Sequence, residues 1–426
     1  MANVTRKIGL SLGADLCWPA CYEQILERLA LSIDWQGDRV AVESERVTIE
    51  PFDLRQSCRY DVVLDRLTHW YHLSREWIKK AVLMDGLYVL NNPWSVQAME
   101  KHTSYCAMIK LGMPIPETWM LPPKSYVPTA DLQPTLKRYA RLFDLGAVGR
   151  EVGYPAFIKP YDGGGWRGVS RVDDDAKLRR GYEDSGNTVL HVQKAVDPFD
   201  RFVRCIGFGP QTHLVSYDAD APLHDRYTRD KDFVTAAEAQ TLRDTTLTIN
   251  TFFGWDFNSC EALRGGDGVW YPIDFANACP DSQVTSLHYH FPWLVKAYLR
   301  WSIYCAVTKR KMRRTLDWEP YYAIADLPDM SYPERLRAYG KIAEERLEAA
   351  RFEEFCAKHL GHLDEVAWEF FGTQAAKTAV REKVNALFPA HEVEAFTSLF
   401  FGRIQEWRAD NASPQASPLV SKRGAK

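Results

Sequence analysis

Several common signatures are missing from this sequence, and each absence removes a class of protein. No Cys-x-x-Cys pair occurs among the nine cysteines, their number is odd, and the closest two are Cys17 and Cys21. A zinc ribbon or disulfide scaffold is therefore not expected, and a reducing, cytoplasmic setting is. No apolar run reaches spanning length: the best stretch, residues 291–307, carries Lys296 and Arg300, whereas a helical span needs about 20 apolar residues. Arg6 and Lys7 precede a short apolar stretch that Asp15 interrupts, so no signal peptide and no membrane partner are expected. An excess of positive charge is missing too. Fifty-three Lys and Arg against 56 Asp and Glu leave a formal charge of −3, which argues against a general nucleic-acid binder. A Walker loop and a His-Arg-Asp catalytic loop are also absent.

What remains is an ordinary globular composition, 46% apolar and 26% charged over 426 residues, long enough for two or three domains. Residues 7–13, 60–64 and 86–90 read as strands, residues 39–49 as a strand pair, and residues 22–31 and 74–83 as helices. Strand and helix in alternation predict a parallel sheet covered by helices, an α/β domain over residues 1–92. Residues 94–111 read as a helix stopped by Gly112 and Pro114, followed by a proline-rich connector. The pattern is strand-rich from Gly153 to Pro280, an α+β region. It then turns helical, with apolar positions at helical spacing over 332–359 and 363–407. The spacing predicts a middle region over 93–290 and a helical C-terminal region over 291–408. The Ser-, Pro-, Ala- and Lys-rich segment 409–426 is expected to be a disordered tail.

The sharpest local signal runs from Gly153 through Lys159 and Gly163-Gly164-Gly165-Trp-Arg-Gly168 to Val172. Gly163-x-Gly165-x-x-Gly168 satisfies a dinucleotide fingerprint literally, but that fingerprint needs a helix after the glycines. Here an extended Val-Ser-Arg-Val follows, so the pattern predicts a strand–loop–strand hairpin. In a kinase-like glycine hairpin the lysine strand follows the loop, whereas Lys159 precedes it. The plain alternative is a glycine-rich surface turn beside a lysine. A strand lysine followed by bare backbone N–H groups is nevertheless what phosphate oxygens require. Downstream, Glu261 and Asp274 stand on two arms of a predicted hairpin with Asn277 close behind. Two carboxylates and an amide oxygen form a hard, all-oxygen set suited to phosphate-bound Mg²⁺.

The order of these features resembles the ATP-grasp superfamily of carboxylate–amine ligases, from Gly9 to Pro280. The resemblance implies an N-terminal α/β pre-ATP-grasp domain, a two-lobed ATP-grasp region (small lobe about 115–195, large lobe about 196–290) and a helical C-terminal extension. It implies that Lys101 and Lys159 bind phosphate and that the loop of Gly163, Gly164, Gly165 and Gly168 closes over it. Gln193, Lys194 and Val196 would form the hinge beside adenine, Asp200 would meet the ribose, and Arg204 would lie near the transferring phosphate. Glu261, Asp274 and Asn277 would hold Mg²⁺ or Mn²⁺. One departure stands out: Asp274 and Asn277 are three residues apart, where the family usually has two. A bulge near Phe275 and Ala276 would bring both side chains to one face.

The implied activity is ATP-dependent activation of a carboxylate as an acyl phosphate and its joining to an amine, each a small molecule or peptide. A phosphotransferase or an ATP-binding regulatory module is the alternative, and a homo-oligomer is left open. The loop 224–231 reads either as a set of substrate-facing cations or as a solvated charged loop. His288 and His290 read as parts of a packed aromatic segment rather than as a metal pair.

Overall fold

The computed structural model describes residues 2–48, 51–68, 70–95, 100–161, 168–222, 224–277 and 279–412. The N-terminal alternation folds as β1 (Asn3–Ser11), α1 (Cys17–Leu29), β2 (Ser32–Trp35), β3 (Asp38–Arg46), β4 (Val62–Asp65), α2 (His72–Asp85) and β5 (Tyr88–Leu90). Their sheet has the order β2-β3-β1-β4-β5, with β1 parallel to β3 and β4, and β4 parallel to β5. Parallel strands covered on both faces need apolar side chains on both, and Ile8, Leu10, Val62, Val63 and Leu64 are all buried. The strand pair expected over 39–49 lies earlier in the chain. β2 turns through Gln36 and Gly37, both at positive φ, into antiparallel β3, the two-residue turn that matches hairpin twist.

The helix expected from residue 94 starts later, as α3 (Lys101–Lys110). It is followed by β6 (Thr118–Leu121), α4 (Leu132–Tyr139), α5 (Leu145–Val152), β7 (Ala156–Pro160), β8 (Ser170–Val172), α6 (Asp175–Glu183) and β9 (Leu190–Lys194). These strands form an antiparallel sheet ordered β6-β9-β7-β8. Leu121, Ile158, Val172, Leu190 and Val192 pack on α5 and α6. The two-residue period then sends Thr118, Lys159, His191 and Gln193 to the opposite face. That division between faces makes the site.

A second antiparallel sheet, β11-β10-β12-β13, comprises β10 (Phe199–Phe208), β11 (Gln211–Ser216), β12 (Phe257–Gly265) and β13 (Trp270–Asp274). Helix α7 (Ala236–Phe253) covers one of its faces. It opens with a capping box between Thr235 and Glu238 and stops at Gly254, where φ is 70°. The remaining chain is helical: α8 (Val284–Leu287), α9 (Phe291–Thr308), α10 (Glu319–Ala325), α11 (Tyr332–Arg346), α12 (Ala349–His359), α13 (Leu363–Phe370), α14 (Gln374–Leu387) and α15 (Val393–Asp410). α9 is apolar on nearly every side, the pattern of a helix enclosed all round. One core runs from Ile8 and Trp18, through Phe208 and Tyr298, to Phe352, Phe371 and Trp407. No helix among the described residues is long and apolar enough to cross a membrane.

Candidate nucleotide and metal site

Residues paired directly across antiparallel strands share a face. Arg204 of β10 lies opposite Glu261 of β12, and Glu261 lies opposite Asp274 of β13. The three therefore form one row across three strands. The Arg204 guanidinium grips the Glu261 carboxylate with one nitrogen and the Tyr227 hydroxyl with another. Burial alone would lower the Arg204 pKa, but Tyr227, Glu261 and Asp281 beside it raise it, so it remains a cation. α3 adds Lys101, whose Nζ donates to Asp274 Oδ2 at 2.7 Å. The Tyr105 hydroxyl donates to the Ile273 carbonyl at 2.6 Å and anchors the end of β13.

The other sheet supplies Lys159. Its Nζ donates to Gln193 Oε1 at 2.7 Å, and Gln193 Nε2 donates onward to Thr118 Oγ1 at 2.9 Å. Burial pushes the Lys159 pKa down to about 8, with Lys101 adding to the depression while Asp274 and Glu261 resist it. Those through-space effects tie Lys159 to the same cluster. An ammonium poised near 8 is charged at neutral pH and neutral in alkali. If Lys159 binds phosphate, as the resemblance implies, ATP affinity is expected to be flat below pH 7 and to weaken as pH rises through about 8. Calorimetric titration with nucleotide between pH 6 and 9.5 checks this, and Lys159→Arg should flatten the alkaline limb.

The donor set fits a hard cation. Asp274 Oδ1 is buried and has no hydrogen-bond partner among the described residues, so one carboxylate oxygen remains to be satisfied. No group of three or more His, Cys, Asp or Glu among the described residues could hold a metal by itself. An ion here would take the rest of its shell from phosphate and water, as Mg²⁺ commonly does. Asn277 donates from Nδ2 to the Ser259 carbonyl at 2.9 Å, and its backbone N–H donates to Asn258 Oδ1 at 3.2 Å. The expected bulge at Phe275–Ala276 is placed differently. The register shifts between Glu261–Asp274 and Ala262–Pro272, which makes Ile273 the extra residue. Pro272 has no N–H to give the ladder, and on the edge strand β13 the pairing slips beside it.

The other expected residues are distributed unevenly. Gly163, Gly164 and Gly165 lie outside the described residues. Gly168 leads into β8 with φ of 72°, and a Cβ there would come within 2.8 Å of Pro160 Cγ. β7 and β8 pair antiparallel on either side of this segment, the strand–loop–strand order read from sequence. Lys194 closes β9, its N–H donating to the Glu117 carbonyl at 2.8 Å, and Val196 lies in the crossover to β10. Asp200 occupies the register shift between Phe199 and Arg201. There it is exposed and pairs with Arg264, Nε to Oδ1 being 2.9 Å, so its contacts are with Arg264 rather than with the cluster.

Some participants were not singled out from sequence. His191 lies directly opposite Lys159, and both its ring nitrogens are buried without a hydrogen-bond partner among the described residues. Burial, then His102, Lys159 and Lys101, push its pKa down to about 3, so His191 stays neutral and adds no further cation beside Lys159. Its signal was present, since it stands two residues before Gln193 on a strand. Tyr105, Thr118 and Tyr227 carried no comparable signal. His288 and His290 are packed, as expected. Their Nε2 atoms lie 3.0 and 2.8 Å from the carbonyls of His224 and Thr228, and burial lowers both pKa values to about 4.

No family model matches the chain, and no curated protein matches it. Solved structures do. D-alanine–D-alanine ligase from Bacillus anthracis complexed with ATP is 14% identical with a TM-score of 0.42, over 80% of this chain and 100% of that one. The D-cycloserine synthetase DcsG is 15% identical with a TM-score of 0.45, over 69% and 98%. A RimK domain ATP-grasp protein from Sphaerobacter thermophilus is 16% identical with a TM-score of 0.42, over 65% and 92%. These likenesses are distant. The functional reading rests on the side-chain cluster.

Proposed function

We propose that this chain is an ATP-dependent ligase of the ATP-grasp type, which activates a carboxylate as an acyl phosphate and joins it to an amine. The observation that carries this reading is the convergence of Lys101, Lys159 and Arg204 on the Glu261–Asp274 pair. Three cations around two carboxylates suit a polyphosphate with a divalent ion better than either alone. Mg²⁺ or Mn²⁺, when bound, would screen phosphate charge at Glu261, Asp274 and Asn277. Lys159 and Lys101 would hold the phosphate oxygens as point charges, Lys159 from the sheet bearing the glycine loop and Lys101 from α3. Gln193, Lys194 and Val196 would present backbone groups to the base. Arg204 would face the charge that develops as the γ-phosphoryl group leaves ADP for a carboxylate oxygen. An amine would then attack the acyl carbon, expelling phosphate and leaving an amide. No side chain of the cluster needs to act as a covalent nucleophile.

The test is to incubate the protein with ATP and Mg²⁺ and a panel of amino acids, peptides and simple amines. Phosphate release and product mass are then followed. ADP, phosphate and a condensed product support the proposal. A stable phosphorylated acceptor would replace it with a phosphotransferase, and no ATP consumption with any pair would overturn it.

A further inference from the structure

The loop between β11 and α7 is fastened to the last helix, and the fastening reaches Arg204. Arg403, Glu406 and Asp410 recur at i, i+3 and i+7 along α15, which places them on one face. Each meets the loop. Arg403 Nη2 lies 3.4 Å from Asp225 Oδ1, Arg229 pairs with Glu406, and Lys231 Nζ lies 3.0 Å from Asp410 Oδ2. The pinned positions, 225 on one side and 229 and 231 on the other, bracket Tyr227. The Tyr227 hydroxyl contacts Arg204 and lies 3.4 Å from Asp281 Oδ2. The Arg204 guanidinium sits 5.3 Å from the Tyr227 ring and 5.7 Å from the Tyr217 ring. A cavity of about 280 Å³ lies between loop and helix, lined by Asp225, Tyr227, Thr228, Arg229, His288 and Arg403. An edge-on contact of His224 with Phe396, centroids 5.6 Å apart, lies beside the ion pairs.

We infer that α15 is a positioning element for Arg204. Its charged face holds the 224–231 loop so that Tyr227 aims the guanidinium at the Glu261–Asp274 row. This rests on the ligase reading for Arg204, but the latch itself is a separate structural claim. Single exposed ion pairs contribute little, so neutralising one should cost at most about two- to fivefold. Glu406 sits within reach of both Arg229 and Arg403, so reversing its charge breaks two contacts and adds repulsion.

The experiment compares wild type, Glu406→Arg, Glu406→Gln and the exchange Arg229→Glu/Glu406→Arg. Two readouts are taken: ATP turnover, and hydrogen–deuterium exchange of the peptide spanning 217–231. Glu406→Arg is expected to lower kcat about tenfold or more, with the KM for ATP moving less than about twofold, and to speed exchange of the loop. The exchanged pair should recover both in part, since it rebuilds the 229–406 pair but leaves a like charge beside Arg403, and Glu406→Gln should be milder than Glu406→Arg. Unchanged loop exchange in Glu406→Arg overturns the latch. Faster exchange with unchanged kcat overturns the link to Arg204, as does a KM for ATP that rises in step with the fall in kcat. A wild-type protein that consumes no ATP fails the ligase reading instead, and the latch is then judged on exchange alone.

Discussion

Asp274→Asn is expected to abolish ATP turnover, by at least about 100-fold, while changing nucleotide affinity by less than about tenfold. The substitution keeps the shape of the side chain and removes its charge. Asp274 is the one acid in the row with a buried oxygen left without a partner, and its other oxygen holds Lys101. Losing the charge removes the counterion of Lys101 and would weaken the proposed cation site, whereas the proposed ATP contacts of Lys159 and the hinge would remain. Asp274 also helps to hold the Lys159 pKa up, so the alkaline limb of ATP binding should move below pH 8 in the variant. Asn277→Ala should cost far less, because water can replace a neutral oxygen ligand. Phosphate-release kinetics beside calorimetric binding separate the two effects. Turnover of Asp274→Asn within a few fold of wild type would sink the metal assignment.

Lys159→Met is expected to raise stability and to weaken ATP binding in the same molecule. The folded-state pKa of Lys159 is about 8 against an ordinary lysine value of 10.5, so holding the charge in the fold costs on the order of 3 kcal/mol at neutral pH. The sign follows from proton counts. Between pH 8 and 10.5 the unfolded chain keeps its proton while the native chain has lost it, so native stability rises with pH there. The advantage of methionine should therefore be full at pH 7 and shrink toward pH 10. Removing a charge-assisted phosphate contact should weaken ATP binding about ten- to a hundredfold. Thermal midpoints at the two pH values, with nucleotide titrations, provide the check. A variant less stable than wild type at pH 7 would mean that Lys159 is held by contacts that outweigh its burial.

Local rules recovered most elements where the hydrophobic period was long. The C-terminal helices were legible because each repeats its apolar spacing over many residues, and the parallel strands because they are uninterrupted apolar runs between helical stretches. Short elements were harder. β2 has four residues, too few to show a period, and its turn depends on Gln36 accepting positive φ, which nothing in its side chain announces. The cations and carboxylates were legible as residue types, because Lys159, Glu261 and Asp274 stand on strands among apolar neighbours. Their pairing was not. Lys101 and Asp274 are separated by 173 positions, and only tertiary packing brings them together. Asp200 stands as a ribose contact only through the resemblance, and its ion pair with Arg264, 64 positions away, was not legible in the sequence. Ile273 shows how one proline on an edge strand can move a bulge that spacing alone would put after the acid.

Helix α9 also limits how this chain can be divided. The Trp18 ring lies stacked on Tyr298 at 4.3 Å, and Phe208 of β10 packs against the same tyrosine at 4.5 Å. A fragment ending at residue 290 would keep every proposed ATP and metal residue yet leave both aromatic rings uncovered. Such a fragment should come out of expression insoluble, and a minimal nucleotide-binding piece must carry α9 with it. The same bond works in reverse. Transplanting the C-terminal helices onto another protein would strip them of the surface they fold against, so the two halves of the chain are to be engineered together.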